Sequence, residues 1–222
     1  MPLLPVLLTN PAYRQRLVAG LNDPLGVSAF WRWYDALSEA ERAVVIAPTL
    51  SRLRQLLLRP SLRSVLGQTT PAFHMGEVFK RPRIVLVRLS PGQLGPEGAA
   101  LFGSLVWSQL WQLIQAQAVV PPAHRRTVTV FADEFQIYLR TPVSFTDMLV
   151  TSRALGTGLI VAHQHLPQLS TEVREALLAN AGSRVVFGLR HDDAKVFARH
   201  DYRLEADDFT GLGRYEVYAS LR

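Results

Sequence analysis

From Val78 onward, short runs of apolar and β-branched residues alternate with longer stretches in which apolar positions recur every three or four residues. The runs Ile84–Leu89, Val128–Ala132, Gly158–Ala162, Val185–Leu189 and Tyr215–Leu221 predict strands. The stretches Phe145–Leu155, Gln168–Ala179 and Asp192–His200 predict helices, the last with a favourably acidic start. Strand-helix repetition of this kind predicts an α/β fold with a mostly parallel sheet flanked by helices. The residues before it carry only the helical period, in short pieces. Asn10 is placed to cap a helix with Pro11 at its first position, and Ser38 with Glu41 has capping-box spacing. Pro24, Pro48 and Pro60 punctuate this stretch, and Trp31, Trp33 and Tyr34 supply bulk for a small core. The predicted organisation is a tail over 1–10, an all-α subdomain over 11–70 and an α/β domain over 78–222, with GQTTPAF as the junction.

Ala99 to Val120 carries no formal charge over a length sufficient to cross a bilayer. Ser104, Ser108, Gln112 and Gln115 fall on one stripe, while Leu101, Leu105, Val106, Leu110, Leu113 and Ile114 fill much of the rest. That division predicts an amphipathic helix laid on a core, not a membrane span.

At 222 residues and 48% hydrophobic, the chain can bury a full core, as one large domain or one domain plus a smaller helical one. The absence of cysteine excludes disulfides and thiolate metal sites, and permits a reducing, intracellular home. MPLLPVLL has no cationic n-region and two prolines in its apolar run, so it does not read as a signal peptide. The net charge of +6 is built from 22 arginines and 2 lysines, and no acid falls between Glu41 and Glu77. Arg42, Arg52, Arg54, Arg59 and Arg63 lie in that gap. Two readings stay open: a solvated helical face, or a basic surface that tracks a phosphate backbone.

The candidate chemistry sits at strand ends. In 127-TVTVFADEFQIYLR-140 a β-forming run stops at Asp133 and Glu134. The carboxyl ends of strands are where open α/β sheets place ligands. An aspartate there suits the Mg²⁺ shell, and a glutamate suits orienting or deprotonating an attacking water. A helix-capping or surface acid pair is the alternative. The next strand ends at Gln164, an uncharged donor and acceptor able to sense a γ-phosphate or a water, and Arg153 lies on the helix that runs into 151-TSRALGTG-158, before that strand. Read singly, Gln164 is an ordinary strand-end amide and Arg153 a surface helix arginine. A metal hydrolase using His163 and His165 with the acids is a third reading, since alternate strand residues share a face; its remaining ligands are not placed.

VFADEF, then SRALGTGLIVAHQHLPQL, then LLANAGSRVVFGLRHDDAKVFA, in that order, resemble the C-terminal half of the motor domain in the conjugative coupling proteins of type IV secretion, the TraG and TraD group, and their DNA-pumping relatives HerA and FtsK. RIVLVRLSPGQLGPEGAALFGSLV resembles the strand, Gly-rich turn and helix ahead of the second nucleotide motif, and SAFWRWYDAL and RLRQLLLRPSLRSVLGQ resemble the helical insert. The resemblance implies a RecA-like fold, with Asp133 and Glu134 as the Walker B pair, Gln164 as the glutamine of the following motif and Arg153 as an arginine finger reaching a neighbouring subunit. Asn180 and Asp193 match recurring positions of a structural kind. It further implies ATP and Mg²⁺ as cofactors, and DNA, motor subunits in a hexameric ring and type IV secretion components as partners. The location it implies is cytoplasmic, at the inner face of the membrane through those partners.

One part of the family's pattern is missing. A Walker A loop needs G-x-x-x-x-G-K-[ST], whose backbone N–H groups and lysine hold the phosphates. No Gly-Lys pair occurs in the chain, whose only lysines are Lys80 and Lys195, and 92-GQLGPEG-98 reads as a turn. The expectation is therefore the second half of a motor, without ATPase activity by itself. The alternative is a non-catalytic DNA- or protein-binding module that assembles with a full-length motor.

Overall fold

A computed structural model describes residues 3–21, 23, 26–68, 70–139, 144–201 and 203–221. Pro24 lies outside them. The chain divides into two compact units, one of residues 1–74 and 88–102, the other of residues 75–87 and 103–222.

The first unit is helical. Its elements are α1 (Leu4–Thr9), α2 (Pro11–Val18), α3 (Val27–Ala36), α4 (Glu39–Leu57), α5 (Pro60–Leu66) and α6 (Pro91–Leu94), followed by the start of α7 (Pro96–Ala116). Residues 4–9, read from the sequence as part of a tail, are thus helical. Asn10 caps α2 by accepting from the Tyr13 N–H at 2.9 Å, with Pro11 next. Ser38 and Glu41 form the reciprocal capping pair: the Ser38 N–H donates to the Glu41 carboxylate at 2.9 Å and the Glu41 N–H to Ser38 Oγ at 3.3 Å. The Ser38 hydroxyl, which donates to the same carboxylate at 2.7 Å, and then the Ser38 N–H pull the Glu41 carboxyl below its usual range. Pro48 does not end a helix as expected; it lies inside α4. The carbonyl that loses its partner there is that of Val44, which is exposed, so water can take the place of the missing N–H.

The centre of this unit is Arg14. Its guanidinium is 1% exposed, donates to Asp35 Oδ1 from Nε at 2.8 Å and from Nη2 at 2.5 Å, and reaches the Leu7 carbonyl at 3.0 Å. It lies over the rings of Trp31 and Tyr34, 5.7 and 4.9 Å from their centroids. Trp31 and Tyr34 are buried, as a small aromatic core requires, whereas Trp33 is exposed.

The second unit carries the strands. β1 (Val128–Ala132) and β2 (Thr157–Val161) pair in parallel, with Val128 opposite Thr157 and Ala132 opposite Val161. α8 (Phe145–Thr151) lies between them in sequence, α9 (Thr171–Asn180) follows β2, and Ser144 and Ser170 cap the two helices through their hydroxyls. β3 (Arg184–Val186) and β4 (Tyr218–Ser220) form a separate antiparallel pair, with α10 (His191–Ala198) and α11 (Ala206–Thr210) between them. The class is α/β with a small parallel sheet; among the described residues the strands make two two-stranded sheets and not one larger sheet.

Ile84–Leu89 is not a strand. Residues 82–89 make no backbone hydrogen bond among the described residues, and Ile84 and Leu86 are 91% and 90% exposed. A run of apolar and β-branched residues marks a chain suited to a sheet, but a strand exists only where a second backbone completes its ladder.

The core of this unit packs one side of the parallel pair. From Gly103 on, α7 turns Trp107, Leu110, Trp111 and Ile114 into it, to meet Phe135, Phe145, Met148, Leu166 and Leu169. Ser104, expected on the polar stripe, is buried on this face, and its hydroxyl donates to the Tyr138 carbonyl at 2.9 Å. Gly103 leaves the space that the Tyr138 ring fills; a Cβ there would collide with the ring. The opposite face of the sheet, bearing Phe131 and Ile160, is uncovered among the described residues, at 75% and 51% exposure. Among the described residues no helix is long and apolar enough to cross a membrane.

Candidate functional site

The acid pair follows β1 directly, and the parallel register sets what it meets. Ala132 stands opposite Val161, so the residues beyond each strand leave the sheet at the same end. The ladder runs on through Ala162 N–H to Ala132 O at 2.9 Å and Phe135 N–H to Ala162 O at 3.3 Å. Glu134 takes a left-handed backbone, φ 48° and ψ 41°, which costs a residue with a Cβ about 1–2 kcal/mol. The turn is held by the Glu134 N–H donating to Asp133 Oδ1 at 3.0 Å and by the Ile137 N–H on the Glu134 carbonyl at 3.0 Å. It is anchored by Phe135, buried and stacked on Phe145 at 4.9 Å between ring centroids.

The Gln164 amide donates to one oxygen of the Glu134 carboxylate. The Gln136 amide donates to the other at 2.6 Å, and also reaches Gln168 Oε1 at 3.4 Å. Gln168 Oε1 in turn accepts from the His165 N–H at 3.1 Å. Glu134 is therefore gripped through both oxygens by uncharged donors, which fix its orientation. Asp133 is exposed and accepts only the neighbouring amide, leaving its other oxygen without a protein donor among the described residues.

Sequence reasoning did not identify Gln136 and Tyr138 as part of the site. Gln136 is two residues from Glu134 in a short 3-10 turn, a position that carries no motif signal. Its Oε1 is buried without a partner. Burial, and then the negative charges of Asp133 and Glu134, raise the Tyr138 phenol above its ordinary range. His163 packs its ring edge-on against Phe135 at 6.1 Å, and its Nδ1 is buried without a partner. Burial pushes its imidazole below the usual histidine range, against the opposing influence of the His165 backbone and then of Asp193 and Glu134. Among the described residues no three His, Asp or Glu side chains come together as a metal-holding group, so the set that a histidine-based metal site would need is not assembled.

Arg153 is not on a helix. α8 stops at Thr151, and Arg153 is exposed in the turn leading to Thr157, the first residue of β2. It thus precedes the amino end of the strand whose carboxyl end bears Gln164, and β2 alone spans about 13 Å. Gly156, at φ 79°, closes this turn, and Arg125 pins it by donating to the Ala154 carbonyl at 2.6 Å and to the Val120 carbonyl at 2.8 Å. Asn180 bonds back to the Ala176 carbonyl of its own helix at 2.8 Å, and Asp193, buried at the start of α10, accepts the Leu166 N–H at 3.3 Å. Both do structural work.

The arginines of the helical unit do not form one face. Arg52 and Arg54, both exposed on α4, are two residues and so about 200° apart around the helix. Arg59 donates to the Leu94 carbonyl at 2.5 Å, against Gly95 at φ 70°, which ties it to its own unit. Arg63 is exposed on α5. Compared with protein-family models, with curated proteins and with solved structures, the chain matches none.

Proposed function

We propose that the chain supplies the Walker B side of an ATP-driven DNA translocase of the coupling-protein kind, acting in DNA transfer through type IV secretion. The observation that carries this reading is the convergence of Asp133, Glu134 and Gln164 at the carboxyl ends of two parallel strands. That is where α/β sheets bind ligands. In this reading β1 and β2 belong to a larger RecA-like parallel sheet. The uncovered Phe131 and Ile160 and the unpaired 84–89 segment are what an incomplete sheet leaves exposed.

The donor set fits a magnesium-nucleotide. Mg²⁺ is commonly held by one or two carboxylates, with waters and phosphates completing its shell, and Asp133 is exposed with an oxygen to give. When bound, Mg²⁺-ATP supplies the reactive phosphoryl group and a cation that offsets its developing charge. Glu134 would accept a proton from the attacking water, and its left-handed backbone turns the side chain toward Gln164. Gln164 would orient that water once its amide leaves the glutamate. DNA and ring-forming motor subunits are the partners of this reading, and Arg153 acts on a neighbouring subunit.

A second reading, a non-catalytic DNA- or protein-binding module that joins a full-length motor, is favoured by one observation: the chain holds no G-x-x-x-x-G-K-[ST]. Phosphate release separates the two. The purified chain by itself is expected at background; robust Mg²⁺-dependent turnover lost in Glu134→Gln would overturn that expectation. Joined to a Walker A-bearing half of a coupling ATPase, the chain is expected to turn over ATP and to lose at least about 100-fold in Glu134→Gln. A joined protein that folds and binds nucleotide but shows no turnover supports the second reading.

A further inference from the structure

The second unit holds a cavity of about 750 Å³ whose lining shares no residue with the acid site. It lies among the end of α9, the end of α10 and the β3–β4 pair. Its size is that of pockets that enclose small organic molecules.

Its floor is aromatic. Phe209 is buried, and Tyr218 meets it edge-on at 5.4 Å between centroids, with Phe197 at 6.1 Å. Its rim is cationic. Arg184 is half-buried and held in place by donating from Nη2 to the Leu178 carbonyl; its Nε and Nη1 make no hydrogen bond among the described residues. His200, just past α10, is exposed, and its imidazole makes none either. The one carboxylate among the described residues of the rim, Asp201, is occupied by Arg203, which donates to both of its oxygens at 2.9 and 2.8 Å. That pairing holds the Asp201 carboxyl at about 2 and cancels the charge that would repel an anion.

An arginine fixed by one nitrogen, with two others unspent beside a ring-lined floor, is built for a ligand with an anionic group and a flat apolar body. From this arrangement we infer that the cavity is a binding site, separate from the acid pair, for a small organic anion carrying a planar ring. Arg184 and His200 take the anionic group and Tyr218 and Phe209 take the ring. A carboxylate and a phosphate ester share this chemistry.

The test is a titration of the full chain, followed by amide NMR, with 1-naphthyl phosphate, 1-naphthoate and the uncharged 1-naphthylmethanol. Saturable shifts are expected at 180–186, 200–201, 203–204 and 218–220, with at least one anion binding about tenfold or more tighter than the alcohol. The stronger anion shows whether phosphate or carboxylate is preferred. Arg184→Gln is expected to weaken that anion about tenfold. Because Arg184 also anchors α9, His200→Ala, at an exposed position, provides a second variant and is expected to weaken it too. Absence of saturable binding, an alcohol that binds as well as the anions, shifts confined to 133–136 and 162–164, or unchanged affinity in both variants would each overturn the assignment.

Discussion

The side-chain amide of Gln164 donates to the carboxylate of Glu134, thirty residues earlier in the chain. The two meet because β1 and β2 run parallel in a register that ends both strands together. With Gln136 on the second oxygen, each Glu134 oxygen carries one amide donor. A glutamate in this grip is oriented, and each oxygen keeps a second lone pair that can take a proton from a water.

Arg153 is expected to act between subunits, and Asp133, Glu134 and Gln164 within one, when the chain is joined to a Walker A-bearing half and assembles as a ring. The turn holding Arg153 and the acid site are at opposite ends of β2. Losing a finger of this kind costs on the order of 10³-fold in rate. Arg153→Ala and Glu134→Gln rings should each be nearly inactive, and rings mixed from the two should recover turnover. Mixed rings that form without recovery, together with full turnover in Arg153→Ala alone, would return Arg153 to the surface.

Weak, sequence-independent DNA binding is expected from Arg52, Arg54 and Arg63, which are exposed, and not from Arg59, which is tied to Leu94. Fluorescence anisotropy on duplex DNA should give a log-log salt slope of about −0.9 for each phosphate neutralised. Because Arg52 and Arg54 point about 200° apart on α4, one duplex meets at most one of them, and replacing the three by alanine should flatten the slope by up to about 1.8 units. An unchanged slope assigns these residues to a solvated face. Arg59→Ala should lower stability instead, read by urea unfolding.

Arg14 and Asp35 should respond unequally to substitution. Asp35→Ala strands a guanidinium that is 1% exposed and should cost about 3 kcal/mol in urea unfolding. Arg14→Met leaves Asp35 beside water, since a third of its side chain is open, and fills the ring-lined site with an apolar group. It should cost less than Asp35→Ala; the reverse order would mean that the pair's attraction outweighs the burial of the charge.

Stability should fall as pH drops below the ordinary histidine range, in part through His163. Its folded-state pKa is depressed by burial, so below about pH 6.5 the unfolded chain binds a proton that the folded chain resists. The contribution is fully present above that pH and is lost as pH falls toward the folded value. Asp193, Glu134 and His165 face the same imidazole, and the His165 backbone, then the two acids, moderate the effect. Urea midpoints at about pH 7.5 and about pH 5.5 should differ less in His163→Asn than in the parent. An equal difference would place the titrating group elsewhere.

Local chemistry was legible without coordinates. Asn10 before Pro11, and Ser38 three residues before Glu41, act through backbone groups within one turn, so their spacing alone determined their bonds. β1 was readable to the residue, and the acid pair at its end followed from that. What lies beyond one turn was decided by tertiary structure. The run Ile84–Leu89 has the apolar and β-branched composition of a strand yet no partner among the described residues, because pairing depends on another segment's backbone. Pro48 does not stop α4, and Ser104 is buried because the Tyr138 carbonyl reaches its hydroxyl, a contact no helical period encodes. The sequence placed Glu134 and Gln164 each at the end of a strand. Only the parallel register of those strands, a relation between distant segments, brought the two side chains within hydrogen-bonding reach and added Gln136 to them.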